Sequence, residues 1–214
     1  MIKCIGFDLD GTLYDEKTYV ESCYDQIAAI IDPQKKAEIK QFMYRVRKEK
    51  GDSRVFQSLA ERYSLPENEV SQFVMIYRTC EAKIQFYPDA ELFLKLQHPW
   101  KLGVLTNGGL PTQSNKCRLL NLDLYFEKIC ITGSLPKNQW KPAREAFQWF
   151  CDEMGVHPGE CLYIGDNPEN DYDGALSAGL HACLMDRYDR YHDTHLSRIK
   201  NLLDLDDFVM GIRQ

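Results

Sequence analysis

The feature that most constrains this chain is an apolar run, Ile2 to Phe7, that stops abruptly at Asp8-Leu9-Asp10-Gly11-Thr12-Leu13. The run reads as a short buried strand. Along an extended chain Asp8 and Asp10 fall on the same side, and Gly11 leaves the backbone free to turn. Two carboxylates held so close repel each other and do not both stay ionised without a cation. A hard ion such as Mg2+, which takes oxygen ligands and keeps part of its water, resolves the repulsion. The competing reading is local: Asp and Gly also belong to ordinary turns and helix caps.

Three later segments carry related chemistry at the ends of further apolar stretches. Lys101 to Thr106 reads as a strand ending in Thr106-Asn107-Gly108-Gly109, where a hydroxyl and backbone amides suit phosphate oxygens. Lys141 precedes Pro142 at the start of a helical pattern, Ala143 to Met154, whose N-terminus favours anions. Cys161 to Ile164 is another apolar run, ending in Gly165-Asp166-Asn167-Pro168-Glu169-Asn170-Asp171, with more carboxylates for a cation. Taken singly, each of these is also a plausible turn, solvated helix start or N-cap.

In this order the four segments resemble the motifs of the haloacid dehalogenase-like hydrolase superfamily, over the stretch from Asp8 to about Asp186. The resemblance implies that Asp8 is a nucleophile forming an aspartyl-phosphate and that Asp10 is the general acid and base. It implies that Thr106 and the Asn107 amide bind the transferring group and that Lys141 neutralises its charge. It gives Mg2+ to Asp8, the Asp10 carbonyl and Asp166, with Asp171 as a nearby carboxylate. Lys137, four residues earlier, competes with Lys141, which is preferred because the family pattern commonly has Lys followed by Pro. Asp10 argues for phosphate esters, because an alkoxide leaving group needs a proton donor and a halide does not. The expectation is a phosphatase for a small phosphorylated metabolite, of the sugar phosphate or nucleoside monophosphate class. A sugar phosphomutase and a non-catalytic binding protein of the same fold are the alternatives.

After Leu13 the strand-and-turn pattern gives way to helical periodicity until about Tyr87. Tyr19 to Ile31, Gln34 to Lys50, Ser53 to Tyr63 and Glu67 to Ala82 carry apolar residues at three- and four-residue spacings, broken at Asp32-Pro33, Gly51-Asp52 and Leu65-Pro66. Residues 15–86 therefore read as an inserted helical cap. Residues 1–14 and 87–214 read as an α/β core, a Rossmann-like parallel sheet with helices on both faces and His181 to Met185 as its last clear strand. Tyr14, Tyr19, Arg45, Arg47, Arg54 and Arg78 are the candidates for specificity in and beside the cap, although arginines on amphipathic helices are usually solvated.

A chain of 214 residues, 44% hydrophobic, can bury such a core with an insertion. Its net charge of -6 disfavours a nucleic-acid polymer as partner. The eight cysteines, at 4, 23, 80, 117, 130, 151, 161 and 183, form no C-x-x-C pair, which favours a reducing cytoplasm. Neither a signal peptide nor a run of about 18 apolar residues suggests a membrane. His192 and His195 lack the further ligands of a zinc site. The oligomeric state, monomer or homodimer, is left open.

Overall fold

The structure, a computed structural model, describes residues 1–212, the side chain of Glu67 excepted. Six strands form one parallel sheet: β1 Cys4–Phe7, β2 Lys101–Thr106, β3 Lys128–Ile131, β4 Cys161–Gly165, β5 His181–Met185 and β6 Arg198–Ile199. Their order is β3-β2-β1-β4-β5-β6. All four residues of β1 and all five of β4 are buried, as expected of parallel strands covered on both faces. In register, Phe7 lies opposite Val104 of β2 and Ile164 of β4. The carboxyl ends of these three strands are therefore neighbours.

The described helices are α1 Glu16–Ile31, α2 Lys36–Lys50, α3 Val55–Tyr63, α4 Glu67–Thr79, α5 Pro88–Leu94, α6 Leu110–Leu119, α7 Arg144–Met154, α8 Gly174–Ser177 and α9 Leu205–Ile212. Side-chain alternation along β1 divides the packing between the two faces of the sheet. Phe7 meets Phe93 of α5 and Phe126 edge-on at 5.8 and 5.9 Å. On the other face Phe147 and Phe150 of α7 pack on Tyr163, with Cys4, Cys130, Cys151 and Cys161 in the same cluster. Each fully buried aromatic contributes roughly 1.5–3 kcal/mol by its removal from water.

The chain divides into two compact units, one of Met1–Glu16 with the chain from Ile84 onward, the other of Lys17–Lys83. The second is helical. Tyr19, Val20, Cys23, Tyr24, Ile27 and Ala28 form the buried stripe of α1, and Ile39, Met43 and Val46 that of α2. Asp32 caps a 3-10 turn, Pro33–Lys35, by accepting from the Gln34 amide, so α2 starts at Lys36 rather than Gln34. A second such turn, Asp52–Arg54, delays α3 to Val55, and α4 stops at Thr79, short of Ala82.

The eight cysteines are buried free thiols. Among the described residues no helix is long and apolar enough to cross a membrane.

Candidate active site

Asp8 continues the β1 ladder, its amide donating to the Ile164 carbonyl at 2.8 Å. The loop that follows turns at Gly11, with φ +81°, a conformation that side-chain-bearing residues rarely adopt. A Cβ there would also collide with the Asp166 carboxylate. The loop is pinned by Arg187, which donates to the Thr12 carbonyl at 2.7 Å and to both oxygens of Asp89 at 2.8 Å, with its guanidinium 4.0 Å over the Tyr87 ring.

Asp8, Asp10, Thr106, Asn107, Lys141, Asp166 and Asp171, all singled out in the sequence, line one cavity of about 150 Å3 together with Asn167 and Asn170. Lys141 is its hub. The ammonium donates to Asp8 Oδ1 at 2.7 Å, Asp171 Oδ1 at 2.6 Å and Tyr163 Oη at 2.9 Å, and its side chain is 2% exposed. Those three partners use its three N–H donors. Tyr163 in turn donates to the Leu105 carbonyl at 2.6 Å. Burial opposes charge on Lys141, but Asp171 and Asp8 outweigh it and hold its pKa well above the usual lysine range.

Asn107 fixes the backbone of that lysine. Its side-chain amide donates to the Lys141 carbonyl at 2.8 Å and its Oδ1 accepts from the Lys141 amide at 3.0 Å and the Thr132 hydroxyl at 3.1 Å. Lys137 lies outside the cavity, its ammonium 5.3 Å over the Trp140 ring.

Asp8, Asp166 and Asp171 offer carboxylate oxygens within 4.8 Å of one another. Burial, reinforced by the other acids, raises the Asp8 pKa despite Lys141; it raises that of Asp166 to about 6, with Asp171 as the next cause. A set of hard oxygen donors whose ionisation is opposed by burial and mutual repulsion fits a small divalent cation. Asp171 also accepts from the Asn167 amide at 3.0 Å, in a wide helical turn, Pro168–Asp173, that leads into α8.

Asp10 is held differently. Lys116 donates to both of its oxygens, at 2.7 and 2.8 Å, Tyr14 Oη to Oδ1 at 2.5 Å and Gln113 Nε2 to Oδ2 at 2.9 Å. Burial favours the neutral acid, yet Lys116, Tyr14 and Gln113 together outweigh it and lower the pKa. Lys116, Gln113 and Tyr163 were not singled out in the sequence, where they read as ordinary helix and strand positions. The available signal was a lysine and a glutamine three apart on the helix that opens just after Thr106-Asn107-Gly108-Gly109.

Of the other candidates, Tyr19 is buried and donates to the Tyr77 carbonyl at 2.6 Å, Arg47 pairs with Asp52 at 2.6 Å, and Arg45 lies over the Phe42 ring at 5.4 Å. Arg54 ends the second 3-10 turn and Arg78 lies in the last turn of α4.

A family model for haloacid dehalogenase-like hydrolases matches residues 2–179. The chain belongs to the haloacid dehalogenase-like hydrolase family. Among similar proteins, N-acylneuraminate-9-phosphatase of Mus musculus is 38% identical over 42% of this chain, which spans only 36% of that protein. Glyceraldehyde 3-phosphate phosphatase of Methanopyrus kandleri is 30% identical over 84% of this chain and 82% of its own length. Phosphoserine phosphatase of Thermus thermophilus is 32% identical over 74% and 64%. The fold is shared with a family phosphatase from Thermococcus onnurineus, at TM-score 0.70, 24% identity and coverage of 97% and 98%. YfnB of Bacillus subtilis, a family hydrolase solved with magnesium, gives TM-score 0.73, 22% identity and coverage of 97% and 98%.

Proposed function

We propose that the chain is a Mg2+-dependent phosphatase of small phosphorylated metabolites, working through an aspartyl-phosphate on Asp8. The observation that carries this reading is the Lys141 ammonium bonded to both Asp8 and Asp171, with Asp166 close enough to share an ion with them. Relatives whose names describe phosphatases of small phosphorylated molecules support it. Sugar phosphates and nucleoside monophosphates are the leading substrate classes.

In the first step an Asp8 oxygen attacks phosphorus, the ester P–O bond breaks, and Asp10 gives its proton to the departing alkoxide. Lys116 favours the ionised form of Asp10 in the free site; the approaching phosphoryl dianion, a like charge, pushes it back toward the acid. In the second step Asp10 takes a proton from water, whose oxygen attacks phosphorus and releases inorganic phosphate with Asp8 regenerated. Thr106 and the Asn107 amide hold equatorial oxygens, and Lys141 balances their charge. Asp8, Asp166 and the Asp10 carbonyl would hold Mg2+, with Asp171 as a nearby carboxylate, and the bound ion would supply Lewis-acid neutralisation of the phosphoryl oxygens. The unit Lys17–Lys83, inserted in the chain directly after the Asp8-to-Asp10 loop, is assigned the choice of leaving group.

The test is phosphate release from a panel of sugar phosphates, nucleoside monophosphates, phosphoglycolate and an aryl phosphate, with Mg2+ or with EDTA. Asp8→Asn should lose roughly 10^4-fold or more in kcat while keeping its circular dichroism. Turnover retained in Asp8→Asn would remove the nucleophile from the scheme, and turnover unchanged in EDTA would remove the metal.

A further inference from the structure

The phosphatase reading accounts for Asp8, Asp10, Thr106 and Lys141, but not for the second buried lysine of this unit. Lys116 lies on α6 with its side chain 3% exposed. A lysine carries a long flexible stem that normally lets its ammonium reach water even when the stem is covered. Here the ammonium is turned inward. It sits within 2.8 Å of both oxygens of Asp10, with Glu16 Oε1 farther off at 3.8 Å. A pair placed only for stability gains little from such burial, because desolvating two charges offsets most of their attraction.

Gln113 occupies the same face of α6, three residues earlier, and is 2% exposed. Its amide nitrogen has two hydrogens and the structure uses both, one on Asp10 Oδ2 at 2.9 Å and one on Thr106 Oγ1 at 2.7 Å. Because Thr106 Oγ1 accepts from Gln113, the hydroxyl keeps its own hydrogen for another acceptor, and Thr106 lines the cavity that holds Asp8. Tyr14 completes the enclosure from the loop after β1, donating to Asp10 Oδ1. Rotation of the Asp10 carboxylate would break contacts from three separate donors.

We propose that Gln113 and Lys116 are positioning residues for phosphoryl transfer: Lys116 clamps both oxygens of Asp10, and Gln113 ties that carboxylate to the Thr106 hydroxyl. The assignment rests on the phosphatase reading and deepens it. One helix thereby sets the angle of the group that moves protons and the direction of a group that holds phosphate. Misplacing either by about 1 Å is enough to cost roughly 100-fold in rate.

The test is a pair of double-mutant cycles in steady-state kinetics with Mg2+, using an aryl phosphate and an alkyl phosphate. Lys116→Met should lower kcat by about 10- to 100-fold with KM within about 3-fold. Placed on Asp10→Asn it should cost less than about 3-fold more, because the group it positions no longer acts. Gln113→Leu should behave in the same way against Thr106→Val. Equal losses in the wild-type and mutant backgrounds, or an unchanged kcat in Lys116→Met, would show a structural role and overturn the assignment. Should Lys116→Met fail to fold by circular dichroism, Lys116→Gln and the Gln113 cycle decide by the same criteria. Wild-type protein that releases no phosphate overturns the phosphatase reading itself. An active wild type with additive cycles overturns only the positioning roles.

Discussion

The two units differ in the charge they bury, although both carry ion pairs on their surfaces. In Lys17–Lys83 the ion pairs lie on the surface: Lys36 with Asp25 at 2.6 Å, Lys40 with Glu21 and Asp25, and Arg62 with Glu38 at 3.2 Å, most of these side chains more than a third exposed. In the sheet unit two lysines are almost wholly enclosed, and each is shared among acids at the carboxyl ends of the strands. Exposed pairs in water are worth about 0–1 kcal/mol. Buried ones cost desolvation and repay it only when every donor is used, which is how Lys141 is arranged. The helices thus owe their order to apolar stripes, whereas the sheet unit gives up stability to enclose two lysines among its acids.

The strongest way to break this contrast is to remove the hub. Lys141→Met leaves Asp8 and Asp171 without their shared cation, so the expected outcome in urea unfolding is a loss of about 3–5 kcal/mol, together with loss of phosphate release. A variant as stable as the parent would mean that the buried cluster is not under strain.

A gentler probe titrates the acids. Asp166 has a folded pKa of about 6 against an ordinary 3.8, so between those values the folded state keeps a proton that the unfolded chain has released. Stability present at low pH is therefore lost as pH rises from about 4 to about 6 in metal-free protein, by at most about 3 kcal/mol from this group. Mg2+ should restore it: the Tm gain on adding the ion is expected at pH 7 and absent at pH 4. A Tm indifferent to Mg2+ at pH 7 would contradict the ligand set. The smallest effect belongs to the other unit, where Lys36→Ala should change stability by less than about 1 kcal/mol and leave kcat unaltered.

The apolar runs of β1, β2 and β4, with carboxylates after β1 and β4 and Thr106-Asn107-Gly108-Gly109 at the end of β2, make the centre of the sheet legible in the sequence. The motif residues at those strand ends line one cavity because the three strands are neighbours in the sheet order. The short edge strands were harder. β6 is two residues in a polar stretch, and β3 is four residues without a motif at its end. Gln113 and Lys116 were invisible for another reason: α6 has no strong apolar stripe, so nothing in its periodicity marks which polar residues point inward. The sequence points to the backbone amide of Asn107, whereas its side chain grips Lys141; such a contact between residues 34 apart leaves no local trace.

The strand order also governs when the site can come into being. β1 is made first but sits at the middle of the sheet, and its partners lie at β2 and β4. Asp8 meets a lysine 133 positions later and Asp10 one 106 positions later. Contacts of that span form slowly and only once the intervening chain has closed. No growing chain that ends before Asp171 contains the full acidic trio, however well its first helices have folded. Assembly of that trio during refolding therefore waits on the pairing of β1 with β4 rather than on the collapse of either unit.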